Sequence, residues 1–305
     1  MLGLATRGRL VAAFAAIYLL WGGTYLAIAI GLQSIPPFIL MGARAGLAGL
    51  LLLAVSRVRG SGPPAPGAWL PAFVSGTLLF GGCHGALAYA QRHVPSGLAA
   101  VVLATIPFWL LLLNFAAPVG ERPKAASLLG LIPGFAGVAL IAWPEASGGE
   151  HAVRPAMIVL LLASALSWAL GSLFSQRRAA HVPAVSLAGK QMLAGGAVLL
   201  VASALAGEWD EVALGDVSAA AAAALAYLVV AGGAVAFTAY VWLLDRVAAP
   251  VVATYTFVNP AIAVVLGWLV LDERLSPPIF TGMALVIGSV IALWRAAAHS
   301  TPRGR

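Results

Sequence analysis

The sequence predicts an all-α integral membrane protein, with ten transmembrane helices built as two inverted five-helix repeats and both termini cytoplasmic. Three observations carry that expectation. Of 305 residues, 62% are hydrophobic and 9% charged, far below the roughly 25% charge of a soluble domain. Ten nearly uncharged runs are about as long as the ~18–20 residues that cross a bilayer. The chain also overlays on itself at a nearly constant offset.

The ten runs are Leu10–Leu32, Pro37–Val55, Trp69–Tyr89, Gly97–Val119, Ala125–Trp143, Pro155–Ser175, Ala184–Leu205, Val217–Leu244, Ala248–Leu271 and Pro277–Trp294. Little chain lies between them, and proline and glycine punctuate the loops, as in SGPPAPG at 61–67. The first run exceeds a signal-peptide core and nine more follow, so it is expected to be retained. With the N-terminus in the cytoplasm, twelve Arg/Lys fall inside (Arg7, Arg9, Arg57, Arg59, Arg122, Lys124, Arg177, Arg178, Arg246, Arg295, Arg303 and Arg305). Three fall outside: Arg92, Arg154 and Arg274. This positive-inside bias explains the net charge of +7 as topology, so no nucleic-acid partner is expected. A single Cys83 excludes an intrachain disulfide.

An offset of 147 lays the first two runs on the sixth and seventh, matching Trp21 with Trp168, Pro36 with Pro183, Gly42 with Gly189 and Gly49 with Gly196. An offset of 153 matches His84 with Phe237, Tyr89 with Trp242 and Pro107 with Pro260. After a one-residue gap, GERPKAASLLG at 120–130 meets DERLSPPIFTG at 272–282. The duplication sets the domains at 1–150 and 151–305. Because five is odd, the halves enter the membrane from opposite sides. That plan recurs in secondary transporters, where the site lies near the midplane between repeats. Channels are also built this way.

In chain order, Tyr18, Trp21 and Tyr25 share a face of the first helix. Trp21 is central, where tryptophan is unusual outside the interfacial belts, so Trp21 and Tyr25 are candidate substrate contacts. In the second helix, Arg44 either draws a substrate carboxylate or binds backbone carbonyls to brace the fold. Gly42, Gly46 and Gly49, like Gly130, Gly134 and Gly137, have the spacing of close helix contact. Intramolecular packing explains both sets; a monomer is expected, with a dimer as the alternative. His84 is the titratable group of the third helix, and such groups inside a membrane default to function. Satisfied packing is the bland reading. Metal binding is not expected, because Cys83 points about 100° away on an α-helix and no ligand cluster surrounds the pair.

The fourth helix supplies Thr105, Pro107 and Trp109, and the sixth supplies Trp168. Pro107 and Pro260 each interrupt a span near its middle. Each removes a backbone hydrogen bond, leaving the carbonyls of Leu103 and Thr256 to find partners in protein or a wet cavity. Both read as hinges, with an ordinary packed kink as the alternative. Lys190 on the seventh helix is expected to snorkel to the inner interface. Phe237 on the eighth should share the cavity of His84 by repeat symmetry. Tyr255 and Asn259 complete the set on the ninth, where the amide serves either a freed carbonyl or substrate. Trp69, Trp143 and Trp294 read as interface anchors.

LLWGGTYLAI at 19–28, Arg44 following PPF, ATIPFW at 104–109 before GER, and FVNPAIAVVLGWLVLDE at 257–273 resemble the EamA-domain transporters of the drug/metabolite transporter superfamily. The style is that of bacterial amino-acid and metabolite exporters, and the resemblance covers essentially the whole chain. It implies a ten-helix carrier of the bacterial inner membrane, needing no cofactor, with a cavity lined by helices 1, 3, 4, 6, 8 and 9. It also implies a structural or gating role for Arg44. The multidrug relatives carry a glutamate in the first helix that Leu10–Leu32 lacks, which leaves facilitated exchange or His84 as the proton carrier. The partners implied are a small-molecule substrate, amino acids foremost, and the lipid bilayer. Drugs, sugars and nucleosides are the alternative cargo. A serine hydrolase using His84 with Ser164 or Ser167 is the rival of another class. No G-x-S-x-G or H-E-x-x-H pattern accompanies those residues.

Overall fold

The computed structural model describes residues 4–59, 68–94, 96–116, 132–137, 139–140, 154–178, 182–271, 281–282, 284–285 and 288–289. The GER and DER triplets, Gly130, Trp143 and Trp294 lie outside the described residues, as does most of the fifth and tenth runs. Regular structure among the described residues is helical, and six helices are long and apolar enough to cross a membrane: Arg7–Gly31, Pro37–Val58, Trp69–Gln91, Pro155–Arg178, Ala184–Leu205 and Ala219–Leu244.

The first span is α1 (Leu4–Gly22) and α2 (Thr24–Gly31), joined through Gly23. The second, α3 (Pro37–Val58), opens with proline at its first position, where the missing N–H costs nothing. Its N-terminus is closed from far away. The buried Glu208 accepts from the N–H groups of Phe38 at 3.1 Å and Ile39 at 2.8 Å.

The third span begins as α4 (Trp69–Gly76), widens into a π-helical stretch over Thr77–Gly85, and ends as α5 (Ala86–Gln91). Where an uninterrupted α-helix is expected from sequence, the wider turn loosens backbone carbonyls, and a neighbouring helix takes two of them. On α8 (Pro155–Arg178), Ser167 donates to the Leu78 carbonyl at 2.8 Å and Ser164 to the Cys83 carbonyl at 3.0 Å. Gly82 has no side chain because Ser167 fills that space.

The fourth run is broken. Helix α6 (Ser96–Leu103) and α7 (Ile106–Ala116) meet at a turn over Ala104 and Thr105. Pro107 therefore stands in the first turn of α7, a place proline tolerates, instead of mid-helix.

Helix α9 (Ala184–Leu205) ends at Gly207, whose φ of 75° is the left-handed cap that glycine adopts cheaply. The short α10 (Glu208–Glu211) follows. Ser218 caps α11 (Ala219–Tyr227) by accepting from Ala221 N–H at 3.1 Å. A second π-helical stretch, Leu228–Val235, leads into α12 (Ala236–Leu244). The ninth run divides into α13 (Ala249–Val252) and α14 (Tyr255–Leu271), which contains Pro260. At this break Thr254 donates to the Val251 carbonyl and Thr256 to that of Ala253, so short hydroxyls satisfy backbone that lipid could not.

The most extensive pairing joins α3 to α9, and glycine permits it. A Cβ on Gly49 would lie 2.6 Å from Leu193 N and 2.9 Å from the Gly189 carbonyl. One on Gly196 would lie 2.6 Å from Gly46 N and 3.1 Å from the Gly42 carbonyl. Gly42 and Gly49 thus serve intramolecular contact, and the contact is reciprocal between the two helices. Lys190, on the same helix, is buried with its ammonium 5.7 Å from the centre of the Trp69 ring. Trp69 shields it where open water is expected.

Candidate functional site

Helices α1, α8, α12 and α14 converge on four aromatic rings. Trp21 lies 5.7 Å from Trp168, 5.2 Å from Tyr240 and 4.6 Å from Tyr255 between centroids. Trp168 lies 5.3 Å from Tyr240. Tilted and edge-on contacts such as these suit the ring quadrupoles and contribute about 0.5–1.5 kcal/mol each beyond area burial. The Trp21 indole is fixed in direction by donating to the Gly232 carbonyl at 2.8 Å, inside the second π-helical stretch. The two π-helical stretches therefore share one logic: a side chain from a neighbouring helix donates to a carbonyl freed by the widened turn.

Above this floor lies a cavity bounded by Thr24, Tyr25, Ile28, Arg44, Cys83, His84, Leu87, Leu103, Ile106, Trp168 and Asn259 as well as Trp21 and Tyr255. Its volume is about 30 Å3, room for about one or two waters and too little for a metabolite. The buried polar atoms on its walls that lack partners include Nε of Arg44, Nδ1 of His84 and Oδ1 of Asn259. A buried polar group without a partner is costly, so their gathering here marks a place prepared for something polar.

On the other side of the rings, hydrogen bonds join the helices. Ser172 and Tyr240 meet at 2.6 Å, as do Tyr18 and Thr254. Gln176 Nε2 donates to the Leu244 carbonyl at 2.8 Å. These bonds lie toward the ends of α1 and α8 that carry Arg7 and Arg178.

The candidates from sequence divide into three groups. Trp21, Tyr25, His84, Trp168, Tyr255 and Asn259 border the cavity. Phe237 is buried one layer back, 6.4 Å from Trp168 and 4.9 Å from Phe80 between ring centroids. Thr105 donates to the Val102 carbonyl at 2.7 Å, closing the α6–α7 turn. Trp109 stands half-buried beside Phe108 and does not line the cavity. Pro260 is buried next to Asn259, and Pro107 next to the cavity residue Ile106.

Tyr240 and Ser172 were not singled out from sequence. Tyr240 falls one turn after Phe237, and that spacing is the signal that could have found it. Cys83 borders the cavity together with His84, within the π-helical stretch. Its Sγ is 3.3 Å from Ser164 Oγ. With Ser164 and Ser167 both donating to carbonyls, neither hydroxyl is bonded to His84.

Comparisons with known proteins agree with this architecture. The profile of the EamA-like transporter family matches residues 7–143 and again 155–295. The chain is 36% identical over 284 residues to the "uncharacterized inner membrane transporter YedA" of Escherichia coli K12, covering 92% of this chain and 89% of that one. It is 28% identical over 286 residues to a "probable amino-acid metabolite efflux pump" of the same organism, covering 89% and 90%. A solved crystal structure superposes with a TM-score of 0.76 at 22% identity, covering 95% of this chain and 99% of the other. That likeness concerns the fold alone.

Proposed function

This chain belongs to the EamA-like transporter family, and from that premise we propose that it is a secondary exporter of small metabolites, amino acids foremost, working by alternating access around the aromatic cavity. It is a multi-pass protein of the bacterial inner membrane. The observation that carries the proposal is the cavity itself, where His84 and Asn259 present unpartnered polar atoms beside two indoles and two phenols. A zwitterion suits such walls, since aromatic faces accept either an apolar side chain or an ammonium group. The relative named as an amino-acid metabolite efflux pump supports the same class.

In this reading the molecule has ten transmembrane helices in two inverted repeats, residues 1–150 and 151–305, with both termini cytoplasmic. Two family matches in tandem, a π-helical stretch in each half and the reciprocal Gly49–Gly189 and Gly196–Gly42 contacts support it. A reciprocal contact is what a two-fold relation produces. Trp21, Tyr25, His84, Trp168, Tyr255 and Asn259 touch substrate, while Phe237 backs the rings. Thr105 and Trp109 flank the cavity residue Ile106 in sequence, and the α6–α7 break next to Pro107 and Pro260 within α14 serve as hinges. The bonds of Ser172, Gln176 and Tyr18 close the cytoplasmic half, so substrate release to the outside uses the Ile28–Leu87 side. Export involves no bond making, and the hydroxyls of Ser164 and Ser167 are already engaged.

Counterflow in proteoliposomes with labelled L-amino acids tests this. Saturable exchange that falls at least about tenfold in Trp168→Ala, with gel-filtration behaviour retained, is expected. Exchange of drugs, sugars or nucleosides without any amino acid would replace the substrate class.

A further inference from the structure

We infer that Arg44 is the anchor for a carboxylate on the transported molecule, a role distinct from the gating or bracing one that its place in the family pattern implies. The inference rests on the reading of the central cavity as the transport site.

Arg44 is 2% exposed and borders the cavity together with Thr24, Ile28 and Leu87. A guanidinium in such a place would ordinarily be paired, because an unpaired buried charge is among the most costly arrangements in a protein. Here the expected partners are missing. Among the described residues the acidic side chains are Glu208, Asp210, Glu211, Asp216 and Asp245, and none borders the cavity. Glu208 is committed to the α3 N-terminus, and Asp245 pairs with Arg246 at 2.9 Å. Nor, among the described residues, does Arg44 bond to the backbone. Its hydrogen-bond contact is NH1 to the Met41 sulfur at 3.8 Å, a weak acceptor, and Nε has no partner.

The surroundings leave room around the guanidinium. A Cβ on Gly232 would meet Thr24 at 2.8 Å and Arg44 NH2 at 3.4 Å, so glycine holds that space open. The Gly232 carbonyl, which could have accepted from Arg44, instead accepts from Trp21. The fork of N–H donors on arginine matches a carboxylate in bidentate geometry. Repeat symmetry sharpens the point. The offset of 147 that pairs Trp21 with Trp168 pairs Arg44 with Gln191. Gln191 is buried too, but its Nε2 donates to Ser75 at 2.7 Å and to Ser175 at 2.8 Å. The second half fills this position with a neutral amide that bonds within the fold; the first half fills it with a cation that does not.

A carboxylate on Arg44 leaves Asn259 Oδ1, an acceptor, for the ammonium group of an α-amino acid, and the aromatic floor for its side chain. The transported class then consists of zwitterions and small monocarboxylates, and excludes amines and esters.

The test is counterflow by wild-type protein and by Arg44→Gln and Arg44→Lys, using the twenty labelled L-amino acids with labelled pyruvate and benzoate. Unlabelled methyl esters and decarboxylated amines of the same amino acids serve as competitors. Wild type should prefer each exchanged acid over its methyl ester by about 10- to 100-fold, the worth of a charge-assisted hydrogen bond. In Arg44→Gln the preference should vanish, and Arg44→Lys should recover part of it. If wild type exchanges amino acids but is inhibited equally by acid and ester, the Arg44 assignment fails while amino-acid transport stands. If pyruvate or benzoate exchanges in an Arg44-dependent way and amino acids do not, the assignment stands and the amino-acid reading fails. If neither acids nor amino acids exchange, both fail. Should Arg44→Gln not fold, the wild-type comparison of acid with ester decides alone.

Discussion

Asn259 and Glu208 are both buried polar side chains, and their surroundings predict opposite behaviour on mutation. The Glu208 carboxylate accepts two backbone N–H groups at the start of α3, where the helix dipole adds to the attraction. Glu208→Gln should cost about 1–3 kcal/mol, read as a lower melting temperature in detergent. Asn259 Oδ1 has no partner, so Asn259→Ala removes a desolvated group with little to lose. Its melting temperature should hold or rise while exchange falls at least about tenfold. A drop in stability with unchanged exchange would make Asn259 a packing residue. Sequence pointed to Asn259 because an amide in an apolar run is conspicuous. Glu208 carries no such signal, since the helix it closes begins some 170 residues earlier in the chain.

At the scale of the helix, contacts separate glycines that look alike in sequence. Gly46 has open space where a Cβ would go, whereas one on Gly49 would press on the backbone of Leu193 and Gly189. Gly46→Ala should therefore leave the melting temperature unchanged. Gly49→Ala should lower stability by about 1–3 kcal/mol, because the obstructing atoms are main chain and cannot rotate away. The small-residue spacing announced this helix contact correctly. It could not announce the π-helical stretches, because hydropathy reports which residues are apolar and not how many occupy a turn. For the same reason Phe237 was placed by symmetry on the cavity, and lies behind Trp168, while Tyr240 occupies the centre. A membrane helix is apolar on its lipid face and on its packed face alike, so periodicity does not say which aromatic looks inward.

For the whole molecule, the six apolar spans were legible from run length, and the duplication from paired landmarks. The constellation around the cavity was legible only in part, since Arg44 gained its meaning from walls that, among the described residues, hold no carboxylate. His84 is the candidate proton carrier. Exchange by a facilitated mechanism should be the same with and without a pH gradient, and a gradient effect that disappears in His84→Asn would instead establish proton coupling. In the proposed mechanism one cavity serves both faces of the membrane in turn. The most direct measurement is side-specific labelling of Ile106→Cys, a buried cavity-wall position, in a Cys83→Ser background with a membrane-impermeant maleimide. Right-side-out and inside-out vesicles should both label, and an exchanged amino acid should protect the site in each. Labelling from one side alone, whatever substrate is present, would contradict alternating access.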